Sequence, residues 1–269
     1  MEYMDILFDK HGGVVTITIN RPEVLNAFRP RTVNELIHAF EQAGDNPEVG
    51  VIILTGAGDR AFCVGGDTKE WKSGVGYTGA SWVGIGLPID RLHRTIRSVP
   101  QPVIAAVNGY AIGGGNVLQV VCDLAVASKT AVFGQVGPRV GSFDAGFGTA
   151  YLARLVGERK AREVWMLCRR YSAEEALSMG LVNAVVEPEQ LMPTVRQWAE
   201  EILALSPTAL KITKASFNAE TEHISGLTQL AFGALGLYYT TLESKEGHQA
   251  FMEKRKSDFS LFRNLRQEE

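Results

Sequence analysis

Two glycine-rich segments constrain this chain more than any other feature: Ala61-Phe-Cys-Val-Gly-Gly-Asp67 and Tyr110-Ala-Ile-Gly-Gly-Gly-Asn116. Each follows an apolar run of β character, residues 51–54 in one case and 102–107 in the other. A glycine has no Cβ, so its backbone N–H can approach another group closely. The second cluster stands where a helix over 116–122 is expected to begin, which puts its N–H groups at a positive dipole end. Taken singly, each cluster also fits a tight turn or a close packing contact. Taken together, they point to two N–H groups converging on one oxygen, an arrangement suited to an acyl group whose carbonyl becomes an enolate or a tetrahedral anion.

The 269 residues suffice for one large domain or a domain with a helical appendage. With 27 basic and 30 acidic residues the net charge is −3, which gives no electrostatic case for nucleic-acid binding. Three widely spaced cysteines, Cys63, Cys122 and Cys168, fit neither a disulfide framework nor a metal cluster and point to a reduced, cytoplasmic setting. Five dispersed histidines do not cluster as metal ligands do, so no metal site is assigned. No signal or transit peptide is read at the N-terminus, and no apolar run approaches the roughly 20 residues of a membrane span. There is no Gly-x-Gly-x-x-Gly after the first strand, no Gly-Lys-Ser/Thr, and no Gly-x-Ser-x-Gly around Ser142, which argues against NAD, ATP and triad-hydrolase chemistry.

Strand-like runs at 14–19, 51–54, 102–107, 124–127 and 131–133 alternate with helical patterns, the signature of an α/β fold. Thr32, with Glu35 at the capping-box position, predicts a helix from 32 to 43. Residues 68–86 carry no clean period and are expected to form a long loop, a functional or mobile element in a compact domain. Further helices are expected over 87–98, 147–156, 159–168, 173–179 and 189–205. From Pro207 to about 255 the pattern is helical throughout, so the chain divides into 1–206 and a helical region, 207–269.

Asn20-Arg-Pro22, Asn26-Ala27, Ala61-Phe62, Gly65-Gly66-Asp67, Gly109-Tyr110, the glycines at 113–115 and Phe133-Gly-Gln135 together resemble the crotonase (enoyl-CoA hydratase/isomerase) superfamily, from about residue 5 to 262. The resemblance implies a spiral of ββα turns with a helical C-terminal trimerisation region, assembled as a homotrimer or homohexamer. It also implies an acyl-CoA substrate and no separate cofactor, since CoA is part of the substrate. The oxyanion hole falls on the N–H groups of Gly66 and Gly114. Contacts to CoA and the acyl group fall on Leu25, Ala27, Arg60, Ala61, Phe62, Val64, Gly65, Asp67, Thr68, Tyr110, Ile112, Gly113 and Val136. Lys254 falls where the family reaches CoA phosphates; as sequence alone, its basic cluster is equally a solvated helix end.

Hydratases of this superfamily carry two glutamates, at positions that are Val117 and Gly137 here. Neither moves a proton, so hydration by two carboxylates is not expected. The chain offers Ser142 and Asp144 instead, two apart and facing one way in an extended stretch. Asp144 supplies an acid/base group and Ser142 a hydroxyl; the same pair also reads as a helix cap. The stretch resembles one branch of the superfamily, the 2-ketocyclohexanecarboxyl-CoA hydrolases and 1,4-dihydroxy-2-naphthoyl-CoA synthases. Both chemistries pass through a thioester enolate, one opening a ring and the other closing one. By that resemblance Asp144, Ser142 and Tyr239 are catalytic and Tyr77 reaches the site from the loop. As residues alone, Tyr239 is also a core aromatic and Tyr77 a surface one. Residues 86–93, 133–138 and 237–244 lean toward the hydrolase. The expected activity is therefore hydrolytic C–C cleavage of a cyclic β-keto acyl-CoA, with the synthase reaction and a non-catalytic acyl-CoA binding protein as alternatives.

Overall fold

The computed structural model describes residues 2–68 and 88–263. The strands, in chain order, are β1 (Ile6–His11), β2 (Val14–Ile19), β3 (Val51–Gly56), β4 (Ala61–Cys63), β5 (Val103–Val107), β6 (Tyr110–Ile112), β7 (Leu124–Ser128), β8 (Val132–Gly134), β9 (Arg170–Ser172) and β10 (Ala184–Val186). The α-helices are α1 (Pro30–Asp45), α2 (Ile89–Ser98), α3 (Gly114–Val120), α4 (Ala150–Val156), α5 (Glu158–Leu167), α6 (Ala173–Ser178), α7 (Leu191–Leu203), α8 (Pro207–Glu220), α9 (His223–Tyr238) and α10 (Leu242–Met252).

Six strands form one sheet in the order β1-β2-β3-β5-β7-β10, and four form a second in the order β4-β6-β8-β9. β1 and β2 make an antiparallel hairpin; every later pairing in the larger sheet is parallel. In the smaller sheet β4, β6 and β8 run parallel and β9 closes it antiparallel. The chain passes from β3 to β4, from β5 to β6 and from β7 to β8, so each turn leaves the larger sheet for the smaller one. Parallel neighbours need a crossover, and helices such as α1 and α3 provide it. The result is the mixed α/β spiral implied by the sequence resemblance.

The central strands are apolar on both faces because both faces are covered. Side chains alternate across a strand, and the two sides feed different clusters. Ile52 and Leu54 of β3 join Leu36, Phe40 and Phe62 in the main core, whereas Val51 and Ile53 pack with Leu191, Val195 and Ala199 of α7. The last three lie four apart, one stripe of a helix. The C-terminal helices join the same body: Ile224 of α9 belongs to the main core.

The structure corrects some local readings. α1 begins at Pro30, not Thr32. Thr32 instead accepts from the Arg29 N–H (3.2 Å) and donates to Asp5 (2.7 Å). Glu35 is diverted to the backbone N–H groups of Met4 and Asp5, tying down the start of β1. α3 starts at Gly114, two residues before the expected start. The short strands β4, β6, β9 and β10 and the six-residue β1 were not foreseen: three residues barely display a period of two, and β1 is apolar only over 6–8. The loop expected over 68–86, with Tyr77, lies beyond Thr68 outside the described residues.

His93 on α2 is fully buried among aromatic rings, edge-on to Phe147 at 6.1 Å and 6.3 Å from Phe232. Neither ring nitrogen has a hydrogen-bond partner, and burial pushes its pKa down to about 3. The unfolded chain takes up a proton at this residue below pH 6.5, while the native state resists until about pH 3. Stability is therefore lost as pH falls below 6.5, by about 1.4 kcal/mol per unit from this group. Urea unfolding at pH 7.5 and pH 5.5, at fixed protein concentration, should show a smaller acid-induced loss for His93→Leu than for the native chain. Equal losses would rule out this account.

Candidate active site

A buried polar clamp places the first glycine segment. Asn26 is fully buried; its Oδ1 accepts from the Arg21 N–H (3.0 Å), and its Nδ2 donates to the carbonyls of Ala57 (3.0 Å) and Ala61 (2.7 Å). Leu25 and Asn26 both sit at left-handed φ, 55 and 56°. Asparagine tolerates that conformation better than most residues, and the hydrogen bonds offset its cost. The Arg21 guanidinium donates to the Ala27 carbonyl (2.6 Å) and pairs with Asp67 (2.9 Å). Between these anchors Phe28 forms a parallel bridge to Gly66. Phe28 N–H donates to the Gly65 carbonyl and the Asp67 N–H donates to the Phe28 carbonyl, both at 2.8 Å. Because residues 65 and 67 make the bonds, the Gly66 N–H points away from Phe28.

The second segment is set by β6, whose Ile112 pairs with Gly134 of β8. Gly113 follows at φ 58°, ψ −126°, a conformation only glycine adopts comfortably, and its N–H bonds to the Gly134 carbonyl (2.9 Å). Gly114 and Gly115 form the first turn of α3, where N–H groups lack intrahelical partners. A Cβ at Gly114 would meet the Phe28 ring at 2.7 Å, and one at Gly115 would collide with the Cys63 carbonyl. A Cβ at Gly65 would stand 3.1 Å from the Gly114 nitrogen. The two segments thus touch, and the glycine at 65 leaves the Gly114 N–H uncovered.

Gly66 and Gly114 line a cavity of about 130 Å³. Ser142, Asp144 and Tyr239 line it too. The Ser142 and Tyr239 hydroxyls, 97 residues apart in sequence, lie 2.7 Å apart, either one donating. Burial raises the Tyr239 pKa well above that of an ordinary phenol, and the nearby Asp144 carboxylate adds to the rise. Asp144 is partly exposed as a residue, yet its Oδ1 is sealed from solvent without a hydrogen-bond partner. Desolvation pushes its pKa up to about 7, opposed by the Gly148 backbone N–H. A carboxyl with that affinity gains and loses a proton near neutrality, as a general acid or base must.

The capping reading holds only in part. The short turn Gly146–Gly148 has Ala145 at its cap position, the Thr149 and Thr228 hydroxyls accept from the Gly146 and Phe147 N–H groups (3.0 and 3.2 Å), and Asp144 takes the Gly148 N–H. Gly148 is held from the other side by the Trp165 indole N–H, which donates to its carbonyl (2.6 Å). A Cβ at Gly148 would lie 2.9 Å from Asp144 Oδ1, so the absence of a side chain there leaves room for the carboxyl.

Of the residues expected to contact the CoA ester, Val64, Gly65, Thr68, Gly113 and Val136 line the cavity. Leu25, Ala27, Arg60, Ala61, Phe62, Asp67, Tyr110, Ile112 and Lys254 do not. The Phe62 side chain is wholly within the core, and the Asp67 carboxylate is 6% exposed and paired with Arg21, so these two side chains serve the scaffold and only their backbone is available to a ligand. Arg60 is exposed, and Tyr110 stacks near the Arg170 guanidinium at 5.8 Å. Lys254 is exposed just past the end of α10 at φ 54°. Tyr77 lies outside the described residues.

The cavity also takes in residues that sequence reasoning missed. Phe28, Phe143, Trp165 and Phe232 supply apolar wall, Gln135 a buried carboxamide, and His248 and Phe251 a contribution from α10. The apolar members carry no signal that separates a cavity wall from a core. Gln135 stood within a recognised motif, next to the Gly137 position, and that proximity was the available clue. Among the described residues no group of three His, Cys, Asp or Glu side chains is placed to hold a metal ion, and no helix is long and apolar enough to cross a membrane.

Comparison with known proteins agrees with this architecture. The family model described as enoyl-CoA hydratase/isomerase matches residues 9–261. An enoyl-CoA hydratase from Mycobacterium avium subsp. paratuberculosis is similar at 30% identity and a TM-score of 0.85, over 96% of this chain and 100% of that one. An enoyl-CoA hydratase from Bacillus anthracis is similar at 31% identity and a TM-score of 0.74, over 95% of this chain and 98% of the other. A monofunctional enoyl-CoA isomerase from M. smegmatis is similar at 30% identity and a TM-score of 0.69, over 81% and 94%. The chain belongs to the enoyl-CoA hydratase/isomerase family, the crotonase superfamily of acyl-CoA-processing enzymes.

Proposed function

We propose that this enzyme hydrolytically opens the ring of a cyclic β-keto acyl-CoA, such as 2-ketocyclohexanecarboxyl-CoA, to give a dicarboxylic mono-CoA ester. One observation carries the reading. Asp144 and the Ser142–Tyr239 pair face the same cavity as Gly66 and Gly114, while Val117 and Gly137 occupy the family's two glutamate positions. Val117 is fully buried, and a Cβ at Gly137 would already crowd the Ser142 carbonyl at 2.7 Å. The hydratases among the similar structures therefore lend their scaffold more than their proton chemistry.

In the proposed reaction Asp144 takes a proton from water as the water oxygen bonds to the ring ketone carbon, whose C=O electrons move onto oxygen as an alkoxide. Ser142, oriented by Tyr239, positions that water. Collapse of the alkoxide restores the C=O, now of a carboxylic acid, and breaks the bond to the α-carbon. Its electron pair passes into the thioester as an enolate, with the negative oxygen held by the Gly66 and Gly114 N–H groups. A proton delivered to the α-carbon by way of Tyr239 completes the addition of one water. The 1,4-dihydroxy-2-naphthoyl-CoA synthase reaction draws on the same residues in the condensation direction. The exposed Lys254 is available to CoA phosphates. The exposed Phe217, Leu230 and Leu237 on α8 and α9 support assembly as a homotrimer or homohexamer.

Mass spectrometry should find a gain of one water from 2-ketocyclohexanecarboxyl-CoA. Loss of water from o-succinylbenzoyl-CoA, assayed in parallel, would assign the synthase instead, and inertness toward both would favour a binding protein. Asp144→Asn should lower kcat by about 10²–10⁴-fold; turnover at the native rate would remove the proposed base. Asp144 must be ionised to accept the proton. The native kcat/KM is therefore expected to rise with pH and level off above a pKa of about 7. A limb near pH 4 would mean that the base is not held as described.

A further inference from the structure

Gln135 is 1% exposed and lines the cavity directly after β8, yet neither its Oε1 nor its Nε2 has a hydrogen-bond partner. A primary amide offers two donor and two acceptor positions, and leaving them empty in a protein interior costs free energy without return. Other buried amides nearby are accommodated differently. Asn116 and Gln119 of α3 bond to each other (2.9 Å), and neither lines the cavity. Of the three, only Gln135 lines the cavity, with both ends of its carboxamide buried and unpaired.

Its neighbours indicate what that substrate group is. Gly134, one residue earlier, receives the Gly113 N–H, so Gln135 stands beside the glycine segment. Two N–H groups, those of Gly66 and Gly114, are committed to the thioester oxygen. A β-keto acyl group carries a second oxygen two carbons away, and that oxygen accepts hydrogen bonds but donates none. Asp144 repels it when ionised, and the Ser142 and Tyr239 hydroxyls bond to each other. Among the described residues that line the cavity, Gln135 has a fully buried amide with no partner of its own, and its Nε2 can donate to that oxygen.

We propose that Gln135 is a substrate-binding residue that recognises the ketone oxygen of the acyl group and so selects β-keto acyl-CoA over its deoxy counterpart. This rests on the ring-opening reading for the identity of the acyl group. The selection is strong because a ligand without the oxygen leaves the buried amide unpaired.

The test is equilibrium binding by calorimetry, with Asp144→Asn as the parent protein so that ligand is not consumed. The probes are 2-ketocyclohexanecarboxyl-CoA and cyclohexanecarboxyl-CoA. The parent should prefer the keto ester by about 10–100-fold. Adding Gln135→Leu should abolish the preference while leaving affinity for the deoxy ester unchanged or tighter, which also establishes that the site is intact. Gln135→Met, closer in shape, should behave as the leucine variant does. A keto preference that survives both substitutions overturns the proposal, and so does a parallel loss for both ligands, the mark of a structural role. If the native enzyme fails to open the ring but the Gln135-dependent preference is found, the ring-opening reading falls and the recognition stands.

Discussion

The Arg21–Asp67 ion pair, closed over by Asn26, is the interaction on which the site depends. It joins the end of β2 to the segment after β4, elements that the sheets place in different layers. A buried pair of this kind gains little net stability over an apolar equivalent, but losing one partner strands a charge, a cost of roughly 3–5 kcal/mol. Its role here is positional. The clamp fixes Phe28, and Phe28 fixes the strand-like run through Gly66. The motif residues Arg21, Asn26 and Asp67 therefore act one step behind the chemistry.

The cavity divides into two kinds of machinery. On one wall the polar groups are backbone N–H dipoles, unable to titrate and held by strand and helix geometry. On the other are side chains whose proton affinities are displaced by burial, Asp144 upward to about 7 and Tyr239 upward as well. Such a division suits a reaction in which one oxygen must be held steadily while protons move around another. It also explains how one scaffold serves several chemistries. The glycine segments are locked by contacts with Phe28 and the Cys63 carbonyl, whereas residues 135–148 lie in short turns outside both sheets.

Much of this was legible in the sequence because it rests on local rules. The glycine clusters needed only the steric logic of a missing Cβ, and β3 and β5 needed only their unbroken apolar runs. The convergence of Ser142, Asp144 and Tyr239 was legible through family resemblance alone, since nothing local ties residue 239 to residue 142. What escaped notice did so for definite reasons. Three-residue strands have no period to read. Thr32 and Glu35 looked like a capping box, but long-range partners at the Asp5 carboxylate and the Met4 and Asp5 N–H groups outcompeted the local pattern. Phe62 and Asp67 sit within the recognised motif, and sequence could not separate a residue that touches a ligand from one that supports it. Trp165 and Phe232 read as ordinary core because one face of each ring is core.

Phe28 couples mechanically the Gly66 and Gly114 N–H groups, the pair proposed to hold the thioester oxygen. Its backbone aligns the strand that carries the Gly66 N–H, and its ring lies where a Cβ on Gly114 would be. The spacing of the donors is thereby gauged by the thickness of one aromatic ring rather than by two independent loops. Thermal displacement of either segment is passed to the other, so the pair moves as a unit and keeps its separation. A change of acid, base or acyl group on the opposite wall would leave that spacing as it is, because none of its gauge lies there.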